Sequence, residues 1–230
     1  MTSSLHHAIR LTTASAIALG GLVTLGTSAH AASVAVPYEC RTWVQGNTHP
    51  VYDYARGFDV SVPASVRAGK KFKATYDPDP ITAFAEYNQI VNDVRIAYRI
   101  PDGAKVHKVR LTGGSGLGDS DVRVQVKGRD IVVSASGPFQ GGVEFDLPTL
   151  KVTYKAPKTA GPLNFVSGGS GYEDPGFYWY RYQPILDEWG PSSASPTRRS
   201  PRPSWPAPRS RSTSRHSGVG RTMENACPRP

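Results

Sequence analysis

Hydrophobic and polar residues alternate along most of the chain between Phe58 and Tyr182. Val94, Ile96 and Tyr98, for example, recur at every second position. A two-residue period is the pattern of a β-strand that buries one face. Several such runs end at proline, glycine or aspartate, as short strands joined by turns do. The pattern therefore predicts an all-β fold class, an antiparallel β-sandwich.

The stretch from Pro63 to Tyr76, with Val66, Gly69 and Phe72, resembles the opening strands of bacterial immunoglobulin-like modules. This resemblance implies that the sandwich is immunoglobulin-like, and it implies no chemistry.

Two local segments refine this prediction. Residues 122–126 and 131–135 form the best hairpin candidate, joined across Lys127-Gly128-Arg129-Asp130. Residues 83–92 compete with the strand pattern, because Phe84, Tyr87 and Val91 recur at helical spacing. A single short helix and an ordered loop both fit that segment.

The first 31 residues have the organisation of a secretory signal. A polar start with the basic residue Arg10 precedes an apolar stretch over residues 11–25, and small residues stand at Ala29 and Ala31. This order predicts a signal peptide that is cleaved after Ala31. The apolar stretch is too short and too interrupted to span about 30 Å of hydrocarbon. We therefore expect a mature protein that is secreted or held in the cell envelope, with no integral membrane segment after cleavage.

Composition changes abruptly after Gly190. We divide the chain into a signal peptide (1–31), an N-terminal extension (32–57), a β-sandwich domain (58–190) and a tail (191–230). Serine, proline and arginine dominate the tail, and Val219 is its only Val, Ile, Leu or Phe. Such a segment buries too little apolar surface to offset the entropy of ordering, so we expect a disordered basic tail.

The net charge of +9 resides mainly in that tail. The tail carries eight arginines against one acid, Glu224, whereas residues 32–190 carry 18 basic and 17 acidic residues. The domain is therefore nearly neutral, and its charge does not indicate a nucleic-acid partner.

The chain has two cysteines, Cys40 and Cys227. A disulfide between them would close a very long loop, a constraint worth on the order of 4–5 kcal/mol. An alternative is that the tail is translated out of frame. With one inserted nucleotide, the codons from Pro191 onward can encode Pro-Phe-Glu-Cys-Gln-Pro-Asp-Ala-Pro, which supplies a cysteine beside Trp189 as a partner for Cys40. A genuine wall-spanning or polyanion-binding tail is the functional alternative.

Known catalytic and cofactor motifs are missing from the sequence. After the signal peptide, the histidines are His49, His107 and His216, and none has a triad-like context. The glycine-rich run over residues 113–118 lacks phosphate-loop spacing and is interpreted as an inter-strand loop. Paired turn acids such as Asp77 with Asp79 could hold calcium, but solvated aspartates are the favoured interpretation. We therefore predict no catalytic residue, metal site or cofactor.

An aromatic run is the most unusual feature of the sequence. On a strand, Phe177 and Trp179 face one way, whereas Tyr178, Tyr180 and Tyr182 face the other. One row belongs to the core. The tyrosine row is our candidate ligand-binding surface, suited to stacking on sugars or contacting a protein. The alternative is a second buried face, covered by aromatic residues of the N-terminal extension, namely Trp43, Tyr52 and Tyr54.

Several stretches together resemble a family of small exported actinobacterial proteins of unsettled function. They are Val36-Pro37-Tyr38-Glu39-Cys40, residues 58–66, residues 111–118, Ser136-Gly137-Pro138-Phe139, Leu147-Pro148-Thr149-Leu150 and residues 172–177. The resemblance spans roughly residues 36–190 and implies a chain ending near a tryptophan with a Pro-Phe-x-Cys-like sequence. Some similar proteins carry the labels cyclase or dehydratase, but no residue pattern in this chain supports those activities.

Three functions follow from these patterns. The leading hypothesis is an exported, non-enzymatic β-sandwich protein that acts at or near the cell envelope by binding an envelope component or polysaccharide. The second is an envelope hydrolase or lyase that uses a carboxylate pair such as Glu173 and Asp174. The third is a carbohydrate-binding module that uses the tyrosine row.

Overall fold

A computed structural model describes residues 29–46 and 51–197. This part of the chain contains thirteen β-strands and no helix. The strands are β1 (Ala29–Thr42), β2 (Val51–Pro63), β3 (Lys71–Pro78), β4 (Ile81–Thr82), β5 (Ile90–Arg99), β6 (Lys105–Thr112), β7 (Val122–Lys127), β8 (Asp130–Ala135), β9 (Phe139–Gln140), β10 (Glu144–Phe145), β11 (Thr149–Lys155), β12 (Phe177–Gln183) and β13 (Glu188–Pro196).

One continuous antiparallel sheet forms both layers of the domain. Its strand order is β6-β11-β3-β2-β1-β13-β12-β5-β8-β7, with β9 paired to β5, and β4 and β10 form a separate two-stranded sheet. The end strands β6 and β7 follow one another in sequence and approach each other in space, so the folded sheet has a barrel-like shape. The predicted all-β fold class with antiparallel strands is confirmed, and its immunoglobulin-like character stays a prediction.

The inner faces of the strands carry the predicted alternating hydrophobic residues. On β3 and β11 the register places Tyr76 opposite Leu150, and Phe72 opposite Tyr154. These four side chains are buried. Burial raises the pKa of Tyr154 to about 12, so its hydroxyl stays protonated and hydrogen-bonds the Tyr76 hydroxyl at 3.2 Å. The core therefore contains tyrosines without containing their negative charge.

Arg56 is a fully buried charge on the inner face of β2. Its guanidinium donates to the main-chain oxygen of Asp79 and lies 5.1 Å from the centroid of the Phe177 ring. Gly57 permits this approach, because a Cβ there would lie 1.9 Å from a carboxylate oxygen of Asp79. An unpaired buried charge costs several kcal/mol, so the carbonyl, the ring and the nearby carboxylate together hold the arginine in place.

The predicted hairpin is confirmed, and the helix is not. Strands β7 and β8 pair from Val122 opposite Ala135 to Lys127 opposite Asp130, across a two-residue turn. Residues 83–89 instead make one turn, in which the amide of Asn88 donates to the oxygen of Phe84 at 2.8 Å, before β5 begins. The helix interpretation is therefore wrong: the apolar residues of this segment pack as a turn and as the start of a strand.

The predicted domain boundaries shift at both ends. β1 and β2 are central strands, and β2 crosses the boundary expected at residue 58, so the predicted N-terminal extension belongs to the sheet. β13 continues through Pro196, pairing with β1 on one side and β12 on the other. The start of the tail at residue 191 was therefore predicted too early, because these two ladders order a segment that has little apolar surface. Residues 198–230 lie outside the described part.

Cys40 is fully buried in β1 and is disulfide-bonded. Cys227, the other cysteine of the chain, lies outside the described residues. The register places Ala194 of β13 directly opposite Cys40, and this alanine is fully buried too. In the restored reading frame, position 194 is the one that would hold a cysteine. Position 192, where that frame has phenylalanine, is also buried.

We predict that Ala194→Cys forms a disulfide with Cys40 when Cys227 is replaced by serine. Directly opposed residues have Cα atoms about 4.5–5.5 Å apart, and a disulfide spans about 4.4–6.8 Å. The free energy of unfolding of A194C/C227S should exceed that of C227S alone by about 2–4 kcal/mol. A reductant should abolish this difference. Thermal melts with thiol titration measure both quantities. Ser193→Cys, which points to the outer face, is the matched control and should leave the two thiols titratable.

Candidate functional site

The tyrosine row of β12 lies on the outer surface of the sheet. Phe177 and Trp179 face the core and are buried, whereas Tyr178, Tyr180 and Tyr182 alternate with them and are half-buried. The strand thus presents one aromatic row to each side, as its two-residue period requires.

Trp189 of β13 completes this surface. It lies opposite Tyr182 in the register, with ring centroids 5.4 Å apart, and stacks on Tyr180 at 5.6 Å with the planes 15° from parallel. Trp189 keeps 42% of its surface exposed. Tyr178, Tyr180, Tyr182 and Trp189 together are called the aromatic face. The sequence interpretation omitted Trp189, because only the pairing of β12 with β13 shows that it belongs beside the tyrosines.

Tyr52 and Tyr54 do not cover this face, and Trp43 lies beside Gly190, an inward position of β13. Tyr52 lies opposite Cys40, and Tyr54 lies opposite Tyr38, so both project from β2 toward the inside. Tyr54 stacks on Phe177 with centroids 5.9 Å apart. The alternative in which Tyr52 and Tyr54 bury the tyrosine row is therefore wrong: they belong to the opposite side of the sheet.

Charged groups border the aromatic face. The guanidinium of Arg95 lies 4.9 Å from the centroid of the Tyr178 ring and pairs with Asp93. The hydroxyl of Tyr182 donates to Asp187 at 2.6 Å, and this hydrogen bond raises the pKa of Tyr182. Burial, followed by repulsion from Asp93, raises the pKa of Tyr178. Tyr178 and Tyr182 therefore stay neutral phenols, beside the accessible indole ring of Trp189.

Buried hydrogen bonds fix the strand beneath the aromatic face. Arg181 donates to the Thr42 hydroxyl at 3.1 Å, to the main-chain oxygen of Tyr87 at 2.8 Å and to that of Trp43 at 3.3 Å. Trp179 donates from its indole nitrogen to the side chain of Asn88 at 3.1 Å. These contacts tie β12 to β1 and to the turn over residues 83–89, so the outer tyrosines stand on a rigid strand.

The other candidate residues lie apart from this surface. Glu173 and Asp174 are exposed in the loop before β12, where Ser170 donates to Asp174 at 2.9 Å. His107 accepts a hydrogen bond from the Lys71 ammonium at 2.6 Å on β6. His49 and His216 lie outside the described residues. Ala31 lies in β1 opposite Ser61, and its role as a cleavage site stays a prediction.

The glycine-rich loop approaches the protein's own backbone. Gly116 has a φ of +65°, and a Cβ there would lie 2.8 Å from the oxygen of Glu144. Ser115 and Asp146 exchange two main-chain hydrogen bonds, at 3.0 and 2.8 Å. The close approach that glycine permits is therefore used to dock the loop beside β10.

Neither a cluster of metal-binding side chains nor a membrane-spanning helix occurs in the described residues. No group of three or more His, Cys, Asp or Glu side chains is placed to hold a metal ion within residues 29–46 and 51–197. Within the same ranges, no helix has both the length and the apolar character to cross a membrane.

Comparisons with known proteins give little. No protein-family model and no curated protein matches this chain. Among solved structures, a non-cellulosomal cohesin from the hyperthermophilic archaeon Archaeoglobus fulgidus is similar at 16% identity and a TM-score of 0.25, over 44% of this chain and 70% of that chain. A similarity at that TM-score assigns neither a ligand nor a partner to this chain.

We predict that Arg181→Met lowers the free energy of unfolding by about 2–4 kcal/mol, because it leaves buried acceptors without donors. Arg95→Met is the matched control: this arginine is half-exposed in a surface ion pair, so its loss should cost less than about 1 kcal/mol. Urea titrations of both variants measure the difference. Equal losses would contradict the anchoring role assigned to Arg181.

We also predict that Asp146→Asn raises the melting temperature at pH 7. Burial, followed by repulsion from Asp77, raises the pKa of Asp146, so ionisation of this carboxyl opposes folding. In the unfolded chain the carboxyl regains its ordinary pKa of about 4. The opposition therefore exists above the raised pKa and disappears as the pH falls below about 4, where both states are protonated. Melts from pH 3 to 8 test this, and a lower melting temperature for the variant at pH 7 would contradict it.

Proposed function

We propose that this chain is an exported, non-enzymatic protein that acts at or near the cell envelope by binding, and that the aromatic face is its binding surface. The observation that carries the proposal is Trp189. Its large indole ring packs between two tyrosines and still keeps 42% of its surface exposed. A cluster of partly exposed aromatic rings is an apolar patch of the kind that marks binding surfaces. Its position beside hydrogen-bonding phenols is that of a recognition group.

The export part of the proposal rests on the leader. Residues 1–31 have the order of a secretory signal, and the strand that follows contributes to the centre of the sheet. Cleavage after Ala31 would leave β1 beginning at Ala32, opposite Val60. The mature chain would thus keep the part of β1 that packs into the core.

A carbohydrate is the ligand class that the aromatic face favours. Its exposed apolar area is small, because the tyrosines are half-buried, and a stable protein interface needs about 800 Å² on each partner. A sugar ring needs much less: one flat aromatic surface and polar groups at its edge. Trp189 supplies the ring, and Asp187 and Arg95 lie at the border.

The test is a pull-down of the full chain on insoluble polysaccharides, namely cellulose, chitin and isolated peptidoglycan. Trp189→Ala and Tyr180→Ala should each reduce the bound fraction at least about tenfold, as expected for loss of a central contact worth about 1.4 kcal/mol or more. Thermal melts confirm that each variant is folded.

Phe84→Ala is the matched control, because Phe84 is an exposed aromatic residue in the turn before β5 and outside the aromatic face. It should bind as the unmodified chain does. Equal losses in all three variants would show non-specific adsorption. Polysaccharide binding that is unaffected by Trp189→Ala would show that the aromatic face is not the binding surface.

A further inference from the structure

Three neighbouring strands in the other part of the sheet carry a dense array of cations on their outer surface. Three rows of three outward positions on β6, β11 and β3 make up this array, and the exposed His107 lies beside them on β6. Seven of these nine positions are basic and exposed: Lys71, Lys73, Lys105, Lys108, Arg110, Lys151 and Lys155. The other two are Thr75 and Thr153. These nine positions are called the basic lattice.

The register places like charges directly opposite one another. Lys155 of β11 lies between Lys105 of β6 and Lys71 of β3. Neighbouring strands are about 4.8 Å apart, and alternate residues along a strand are about 6.7 Å apart. Directly opposed like charges destabilise a sheet. This arrangement therefore costs folding free energy, and a folding role does not explain it.

Solubility and edge protection explain only part of the lattice. Lysines on an edge strand hinder unwanted pairing, but β6 alone is an edge, whereas β11 and β3 are interior strands. In the other layer, Arg95 pairs with Asp93, and Arg123 pairs with Asp121. None of the four ion pairs found among the described residues involves a lattice cation. The two layers thus differ in how their charges are neutralised.

A groove continues the lattice at β3. It has a volume of about 710 Å³ and is lined by two lattice lysines and by Arg67 and Lys70 of the segment between β2 and β3. Hydroxyl groups of Ser61, Ser65 and Thr75 line it as well. Cations beside hydroxyl donors are the groups that contact phosphate oxygens in nucleic-acid and phosphate sites.

Acidic residues mark one end of this surface. Asp59 and Asp77 lie opposite each other on β2 and β3, where Ser33 donates to Asp59 and Thr149 donates to Asp77. They are two of the 17 acidic residues of residues 32–190, and none of the 17 occupies a lattice position. The nearly neutral total therefore conceals a segregated charge.

We propose that the basic lattice and its groove bind a linear phosphodiester polymer. The one exposed ring on these three strands is the imidazole of His107, and it is held by a hydrogen bond with Lys71. Seven cations surround it, so phosphate charge dominates recognition. The groove places further cations and hydroxyl groups in a concavity that a linear polymer can enter, whereas a bilayer surface would meet only the flat part. Because the lattice lies on strands distant from β12 and β13, this binding is independent of the aromatic face.

The test is isothermal titration of the full chain with synthetic poly(glycerol phosphate) at 50 and 200 mM salt. The lattice variant K73Q/K151Q/K155Q should lose about tenfold or more in affinity at 50 mM, and its slope of log K against log salt should fall by about 2 in magnitude, or about 0.7 for each lost contact. All three side chains are exposed, so the variant should keep its melting temperature.

The matched control R123Q/K127Q/R129Q removes the same number of charges from the exposed β7–β8 hairpin and should bind as the unmodified chain does. Three outcomes would overturn the proposal. The first is an equal loss of affinity in both variants, which would indicate that net charge alone drives binding. The second is an unchanged affinity of the lattice variant. The third is lattice-dependent binding to phosphatidylglycerol vesicles or to single-stranded DNA that is tighter than binding to poly(glycerol phosphate). Both variants keep the residues beyond 197, so any contribution of those residues to affinity is the same in the two and does not affect the comparison.

Discussion

The antiparallel register between neighbouring strands is the constraint on which the rest of this structure depends. A strand sends alternate side chains to opposite faces, so a slip of one residue would exchange core and surface along its whole length. The pairing that sets Tyr154 opposite Phe72 inside also sets Lys155 opposite Lys71 outside. One set of main-chain hydrogen bonds therefore builds the aromatic core and, on its outer side, two surfaces with different chemistry.

Sequence reasoning works well where the information is local. The two-residue period marks the inner face of each strand, and Gly128 with Arg129 marks the turn of the β7–β8 hairpin. The basic lattice depends instead on which strands become neighbours. On β11 taken alone, Lys151 and Lys155 resemble an ordinary solvated face. Only the pairing with β3 and β6 shows that three such faces meet, and single-strand patterns do not contain that pairing.

The segments predicted wrongly share a cause: composition was given more weight than long-range hydrogen bonding. Residues 191–196 have almost no large apolar side chains, yet they form a strand between β1 and β12. The inward positions there are small, Gly190, Ser192 and Ala194, and all three are buried. Two ladders and a tight fit supply order that a count of apolar residues misses. In residues 83–92, helical spacing arose by coincidence from a turn followed by a strand.

The position of β13 has a consequence for how the chain reaches this structure. β13 is the last strand in the described sequence, and it fits between β1, the first, and β12. Contacts between segments so distant along the chain form slowly, and until they form β1 and β12 each expose an unpaired edge. β1 can therefore complete its pairing only after β13 has been synthesised, so the sheet forms fully only when nearly all of the domain is available. A nascent chain of this kind is most vulnerable to aggregation just before its final strand arrives.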